Sequence, residues 1–78
     1  MEQYTVDKTL DAMGLTCPMP AVKTALALEH MKVGQIIEVL TDDPVSKRDL
    51  PAWAQNTGHE LLEIKEDGKT IKIYVRKA

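Results

Sequence analysis

The amino-acid sequence predicts an α/β fold, a two-layer sandwich in which two helices cover one face of a mixed four-stranded sheet. Three observations support this prediction. The 78 residues can form one hydrophobic core but not two, so we expect residues 1–78 to be a single domain. Strand-like and helix-like stretches follow one another in the order β-α-β-α-β-β. Because a helix between two strands makes a parallel crossover and a short turn makes an antiparallel pair, the expected strand order is 1-2-4-3.

The first strand and the first helix are predicted on either side of a glycine. Residues 4–10 alternate loosely between apolar and polar side chains, which is typical of a short strand. Residues 20 to 32 are rich in helix-forming residues, and Gly34 ends this helix, with Lys32 as a favourable cation in the last turn. The expected buried face of the helix consists of Ala21, Val22, Ala25, Leu26 and Leu28.

The second strand and the second helix follow. Residues 35–41 are apolar and β-branched almost throughout, which predicts a central strand. Two starts are open for the helix: either Asp43 caps it and Pro51 kinks it, or it begins at Asp49 with Pro51 in its first turn. An interior proline costs about 3 kcal/mol, so the sequence favours the start at Asp49. The expected buried stripe is Leu50, Trp53 and Ala54.

Two more strands complete the chain after Gly58, which ends the second helix. Residues 60–66 and 70–77 alternate as strands do, and Asp67-Gly68 between them favours a type I′ hairpin. The expected inward side chains are Leu62 and Ile64 on the third strand and Ile71, Ile73 and Val75 on the fourth.

Composition excludes several classes of protein. The net charge of −2 gives no general attraction to nucleic acid or acidic lipid. No apolar run approaches the roughly 18 residues of a membrane span, and the first residues lack the features of a signal peptide, so we expect a cytoplasmic protein. The single cysteine cannot form an internal disulfide, and one cysteine with two separated histidines does not make a metal site.

That cysteine, Cys17, lies in the stretch around which the chain is organised. It follows a predicted turn at Gly14 and precedes the first helix, and Pro18 and Pro20 stiffen its approach. At a helix entrance the free backbone N–H groups and the positive end of the helix dipole favour an anion. A thiolate placed there has a lowered pKa, so Cys17 is the candidate nucleophile.

Several blocks of the sequence share one family pattern: Asp11…Gly14…Cys17-Pro18-Met19-Pro20, Gly34, Asp42-Asp43-Pro44, Asp49-Leu50-Pro51-Ala52-Trp53, Gly58-His59-Glu60-Leu61-Leu62 and Arg76-Lys77. On these blocks, over nearly its whole length, the chain resembles the TusA/SirA-like family of small sulfur-carrier proteins. Met13 stands where many members have a polar or basic residue.

The resemblance implies that Cys17 carries sulfur as a persulfide. The donor would be a cysteine desulfurase or a rhodanese-type protein, and the acceptor would be a protein thiol in tRNA thiolation, cofactor assembly or sulfur metabolism. The chemistry agrees, because no second cysteine is present to resolve a persulfide into an internal disulfide. We expect a stoichiometric carrier rather than a stand-alone enzyme, with no cofactor of its own, since pyridoxal phosphate would belong to the donor.

Two other functions stay open from the residues. A thiol-disulfide reductase would use the same thiol but lacks a resolving cysteine. A regulatory or RNA-binding module would depend on the basic row near the C-terminus, formed by Lys69, Lys72, Arg76 and Lys77.

Other polar residues have plainer interpretations. The Asp42-Asp43 pair is typical of a strand-end turn and a helix cap, and His59 of a structural hydrogen bond at a strand entrance. The possible partner contacts are Met19, Asp42, Asp43, Arg76 and Lys77.

Overall fold

The order of helices and strands is the predicted one. A computed structural model describes residues 4–16 and 18–78. Its elements are β1 (Lys8–Asp11), α1 (Met19–Glu29), β2 (Ile36–Thr41), α2 (Pro44–Asn56), β3 (Glu60–Asp67) and β4 (Thr70–Arg76).

The four strands form one mixed sheet in the predicted order, β1-β2-β4-β3. β1 is parallel to β2, and β4 is antiparallel to both of its neighbours. The two helices contact each other and pack on one face of the sheet, α1 against β1 and β2, and α2 against β3 and β4. The two-layer sandwich is therefore confirmed.

The core lies between this sheet face and the helices. It includes Leu28, Ile37, Val39, Leu50, Ala54, Ile71, Ile73 and Val75. Each fully buried large aliphatic side chain contributes about 1.5–3 kcal/mol relative to an exposed one. The inward positions predicted for the fourth strand are confirmed, because all three are buried.

The first strand begins later than predicted, at Lys8 rather than at residue 4. Asp7 explains the difference. Its carboxylate accepts a hydrogen bond from the backbone N–H of Ile36 at 2.8 Å, and a longer β1 would need that N–H for its ladder with β2. Tyr4 lies against the ring of Tyr74 at a centroid distance of 5.8 Å and donates to the carboxylate of Glu63. Asp7 still donates its own N–H to the carbonyl of Ile36 at 2.9 Å, whereas Tyr4, earlier in the chain, reaches residues of β3 and β4.

Helix α1 presents a different face to the core from the predicted one. Pro20, Thr24 and Leu28 are buried, whereas Val22 and Leu26 are 42% and 55% exposed. Thr24 can lie in the core because its hydroxyl donates to the carbonyl of Pro20 at 2.7 Å, which satisfies the buried oxygen. The helix is rotated so that part of its apolar surface faces outward.

The C-terminal end of α1 is also different from the prediction. The helix ends at Glu29, so Lys32 lies beyond it and no basic residue occupies its last turn. The cation there comes from a distant part of the chain: Lys77 Nζ lies 2.6 Å from both the Leu28 and the Met31 carbonyl oxygens. A positive charge at the carbonyl end of a helix is stabilising wherever it comes from in the sequence.

The favoured start of the second helix was wrong, because α2 begins at Pro44 and contains Pro51 in its interior. Asp43 caps it, accepting from the backbone N–H of Val45 at 3.2 Å and the hydroxyl of Ser46 at 3.1 Å. Such a cap typically contributes about 1 kcal/mol, which partly offsets the hydrogen bond that the proline removes.

Of the two inward side chains predicted for β3, Ile64 is confirmed and Leu62 was wrong. The register shifts between Leu61 and Glu63, which leaves Leu62 as an additional residue in the strand. Leu61 and Ile64 therefore pack against the core. The hairpin turn consists of Gly68 and Lys69; Gly68 has φ 64° and Lys69 does not have a positive φ. This is the sign pattern of a type II′ turn rather than type I′.

Candidate functional site

The sequence-predicted nucleophile, Cys17, lies outside the described residues, so the site is described by the residues on either side of it. The backbone N–H of Met19 donates to the carbonyl of Thr16 at 2.9 Å. Thr16, Pro18 and Met19 are exposed, whereas Pro20 is buried against the core. The chain around the cysteine is thus anchored on one side by Pro20 and presents its other described side chains to solvent.

A tight turn precedes this segment. Gly14 has φ 78°, and the backbone N–H of Leu15 donates to the carbonyl of Ala12 at 3.3 Å. A positive φ at the third residue of such a turn is typical of type II, where glycine carries no steric penalty. Ala12 is fully buried and donates its N–H to the carbonyl of Leu40 at 2.8 Å. The turn is therefore fixed to the C-terminal end of β2.

A second contact joins the turn to the same end of the sheet. The carboxylate of Asp42 accepts a hydrogen bond from the backbone N–H of Gly14 at 3.0 Å. The neighbouring Asp43 belongs to the cap of α2, and its own N–H donates to the hydroxyl of Thr41 at 3.2 Å. The structure thus places the acidic pair next to the Gly14 turn. Asp42 binds the N–H of Gly14, and Asp43 binds the first residues of α2.

Within the part of the chain that the structure describes, no side chain caps the N-terminus of α1. Pro18 is its N-cap residue, with φ −97° and ψ 10°, and no carboxylate lies in the first turn. The first backbone N–H groups of a helix have no intrahelical acceptor and carry the positive end of the dipole. Neither a local carboxylate nor a capping side chain neutralises that end in the described residues. An anion close to Pro18 would be stabilised there.

An apolar surface extends from this end along α1. Met13, Met19, Val22 and Leu26 are among the exposed large apolar side chains of the described residues. A groove of about 320 Å³ runs between the helices and is lined by Pro18, Ala21, Val22, Ala25, Leu26 and Trp53. Sequence reasoning missed Val22 and Leu26 as surface residues, whereas Trp53, predicted on the buried stripe of the second helix, is partly buried and packs against the core. The sequence feature that could have predicted this exposure is the apolar arc of α1, which is wider than the face that one helix can bury.

Of the four basic residues near the C-terminus, Arg76 and Lys77 lie at the other end of the sheet, whereas Lys69 and Lys72 lie at the Asp42 end. Arg76 is opposite Ile36 at the start of β2, whereas Asp42 follows its last residue, which places the two ends about 17 Å apart. Arg76 Nε is 3.1 Å from Glu60 Oε1, and Lys77 binds the α1 carbonyls. These residues are therefore not brought together with the Cys17 segment.

His59 makes a structural hydrogen bond, as predicted. Its Nδ1 accepts from the backbone N–H of Ala78 at 3.1 Å, and its ring lies 5.9 Å from that of Trp53. Across residues 4–16 and 18–78, the acidic and histidine side chains form no cluster of three or more that could hold a metal ion. No helix in this described part is both long and apolar enough to cross a membrane.

Comparison with known proteins agrees with the fold and with the motif. The sequence model described as Sulfurtransferase TusA matches residues 8–77. A putative sulfur carrier protein of Thermotoga maritima is 48% identical over 77 residues, which are 97% of this chain and 98% of that protein. The putative sulfur carrier protein YrkI of Bacillus subtilis is 46% identical over 71 residues, 91% of this chain and 95% of the relative. The crystal structure of a SirA-like protein from Desulfitobacterium hafniense superposes with a TM-score of 0.77 at 28% identity, covering 88% of this chain and 95% of that one.

Proposed function

The chain belongs to the TusA sulfurtransferase family, and we propose that it is a sulfur carrier that accepts one sulfur atom on Cys17 and gives it to another protein. The observation that carries the proposal is the uncapped N-terminus of α1, which begins directly after the only cysteine of the sequence. A helix end of this kind stabilises a thiolate, and the thiolate is the form of cysteine that reacts with sulfur donors.

The proposed reaction consists of two exchanges that balance. In the first, the Cys17 thiolate attacks the outer sulfur of a donor persulfide; the sulfur–sulfur bond of the donor breaks, the donor leaves as a thiolate, and Cys17 becomes a persulfide. In the second, an acceptor thiolate attacks the same outer sulfur and Cys17 leaves as the thiolate. No external oxidant or reductant is consumed, because the transferred atom keeps its oxidation state.

The surface next to Cys17 supports transfer between proteins. Donor and acceptor must each approach the cysteine, and the exposed side chains of Met19, Val22 and Leu26 offer apolar contact on that side of the molecule. Unbranched methionine side chains adapt to differently shaped partners. Of the charged residues proposed as partner contacts, Asp42 and Asp43 lie at this end of β2, and Arg76 and Lys77 lie at the other.

We propose a cysteine desulfurase or a rhodanese-type protein as donor. The acceptor thiol would belong to tRNA thiolation, cofactor assembly or sulfur metabolism in the cytoplasm, where reducing conditions keep Cys17 free. A thiol-disulfide reductase is a poorer fit, because its second step needs a resolving cysteine and the sequence has one cysteine in all.

The proposal is tested by incubating the protein with a cysteine desulfurase and free cysteine and measuring its intact mass. We expect a gain of one sulfur, about 32 Da, that is reversed by a thiol reductant. Cys17→Ser should gain nothing, and Thr16→Ser, which changes the neighbouring residue and keeps the thiol, should behave as the unmodified chain. A gain of sulfur by Cys17→Ser, or no gain by the unmodified chain with any desulfurase or rhodanese-type donor, would contradict the proposal.

A further inference from the structure

We infer that Asp42 is a positioning residue for sulfur transfer, which rests on the proposed function of Cys17 and assigns Asp42 a role other than direct partner contact. The contact that carries the inference is the hydrogen bond between Asp42 Oδ1 and the backbone N–H of Gly14. These two residues are 28 positions apart in the sequence and 3.0 Å apart at the bonded atoms.

Two backbone N–H groups, those of Ala12 and Gly14, hold the turn before Cys17 to the C-terminal end of β2 and the residue that follows it. The N–H of Ala12 reaches the carbonyl of Leu40, and the N–H of Gly14 reaches the carboxylate of Asp42. The other described hydrogen bonds of this segment are local: Met13 N donates to Asp11 Oδ1, and Leu15 N donates to the Ala12 carbonyl. Local bonds shape the turn, whereas the bond to Asp42 fixes where the turn lies relative to the sheet.

Asp42 can act as a fixed support because its neighbours on both sides are held. Thr41 is fully buried at the end of β2, and its hydroxyl accepts from the N–H of Asp43. Asp43 is in turn fixed by its bonds to the first residues of α2. The Asp42 side chain therefore extends from a rigid corner between a buried strand and a capped helix.

The position of the turn matters for the chemistry that we propose. A thiolate attacking a sulfur–sulfur bond must approach along the axis of that bond, and small errors in placement lower the rate of such a step. Gly14 is the last residue of the segment with a described bond to the sheet before Cys17. Loss of the Asp42 contact should therefore slow transfer within the docked complex more than it weakens docking.

Two substitutions separate positioning from partner contact. Asp42→Asn removes the charge but retains a side-chain oxygen for the N–H of Gly14, whereas Asp42→Ala removes both. If Asp42 acts by positioning, the transfer rate of Asp42→Asn should stay within about twofold of that of the unmodified chain. Asp42→Ala should lower the maximal rate about five- to tenfold, with little change in the half-saturating carrier concentration. Asp67→Ala, which removes an exposed carboxylate of the hairpin, is the matched control and should have no effect.

A second readout needs no partner. Hydrogen exchange of the Gly14 amide, measured by NMR, should be about fivefold faster in Asp42→Ala and nearly unchanged in Asp42→Asn. Equal impairment of transfer by both variants, or unaltered Gly14 exchange in Asp42→Ala, would overturn the inference. Because this readout is independent of sulfur, the two failures are distinguishable: unaltered Gly14 exchange in Asp42→Ala overturns the inference alone, whereas no sulfur acceptance by the unmodified chain overturns the proposed function on which the inference rests.

Discussion

The N-terminus of α2 is closed by the carboxylate of Asp43, whereas no side chain in residues 4–16 and 18–78 caps the N-terminus of α1, whose first turn contains no acidic residue. Both helices carry a proline in the first turn and both follow a strand of the same parallel pair. One helix end is therefore built for stability, whereas at the other no described side chain neutralises the positive end of the dipole. The open end is the one that directly follows Cys17 in the sequence.

The comparison also explains how an uncapped helix remains stable. Lys77 supplies α1 with a cation at its C-terminal end, where its Nζ lies 2.6 Å from two carbonyl oxygens. Buried Pro20 and Leu28 anchor both ends of the helix in the core. The stabilisation that a cap would give is thus provided away from the end that follows Cys17.

The largest effect on stability should follow from removing this distant cation. Lys77→Met keeps much of the aliphatic side chain but loses two charge-assisted hydrogen bonds, so the free energy of unfolding should fall by about 2 kcal/mol. Lys69→Met, on the exposed hairpin, should change it by less than about 0.5 kcal/mol. Urea denaturation followed by circular dichroism measures both, and equal losses would show that α1 does not depend on Lys77.

Removing the cap of α2 should have an intermediate effect. Asp43→Ala deletes the acceptor for Val45 N and Ser46 Oγ, and the loss of an N-cap typically costs about 1 kcal/mol. Asp43→Asn retains the cap and should cost much less. Because this helix end is not the reactive one, the rate of Cys17 alkylation should stay within about twofold in both variants; a large drop in that rate would break the comparison.

Adding an acidic residue to α1 should have the smallest effect. Ala21→Glu places a carboxylate in the first turn, where it should slow alkylation of Cys17 by iodoacetamide at neutral pH about threefold. The direction follows from the charge. The carboxylate disfavours the thiolate, so the pKa of Cys17 should rise and the midpoint of the alkylation rate against pH should move to higher pH. Ala52→Glu, on an exposed position inside α2, is the control. The difference should shrink in high salt, and equal rates for the two variants at low salt would argue against an influence of this helix end.

Much of the fold follows from local patterns. The apolar run of β2, the alternation in β4 and the glycines at the turns were enough to give the element order and the strand order. The two main errors had different sources. Asp7 shortens β1 through Ile36, 29 positions away, which is a contact that local patterns do not contain. The cap at Asp43 was one of the two helix starts open from the sequence, and the cost assigned to an interior Pro51 decided against it.

The same limit applies to the candidate site. The motif indicated Cys17 and the helix that follows, because spacing and proline placement are local properties. The contact between Gly14 and Asp42 joins residues 28 positions apart, and the outward direction of Val22 and Leu26 depends on which face of α1 packs against the sheet. Such features become visible only when the elements are packed together.

The central claim is that the open end of α1 makes Cys17 a ready nucleophile, and the pH dependence of its alkylation in the unmodified chain tests this most directly. The rate should rise with a midpoint clearly below the value of about 8.5 for an unperturbed cysteine, and the midpoint should move upward in Ala21→Glu. A midpoint at or above that of an unperturbed cysteine would contradict the account.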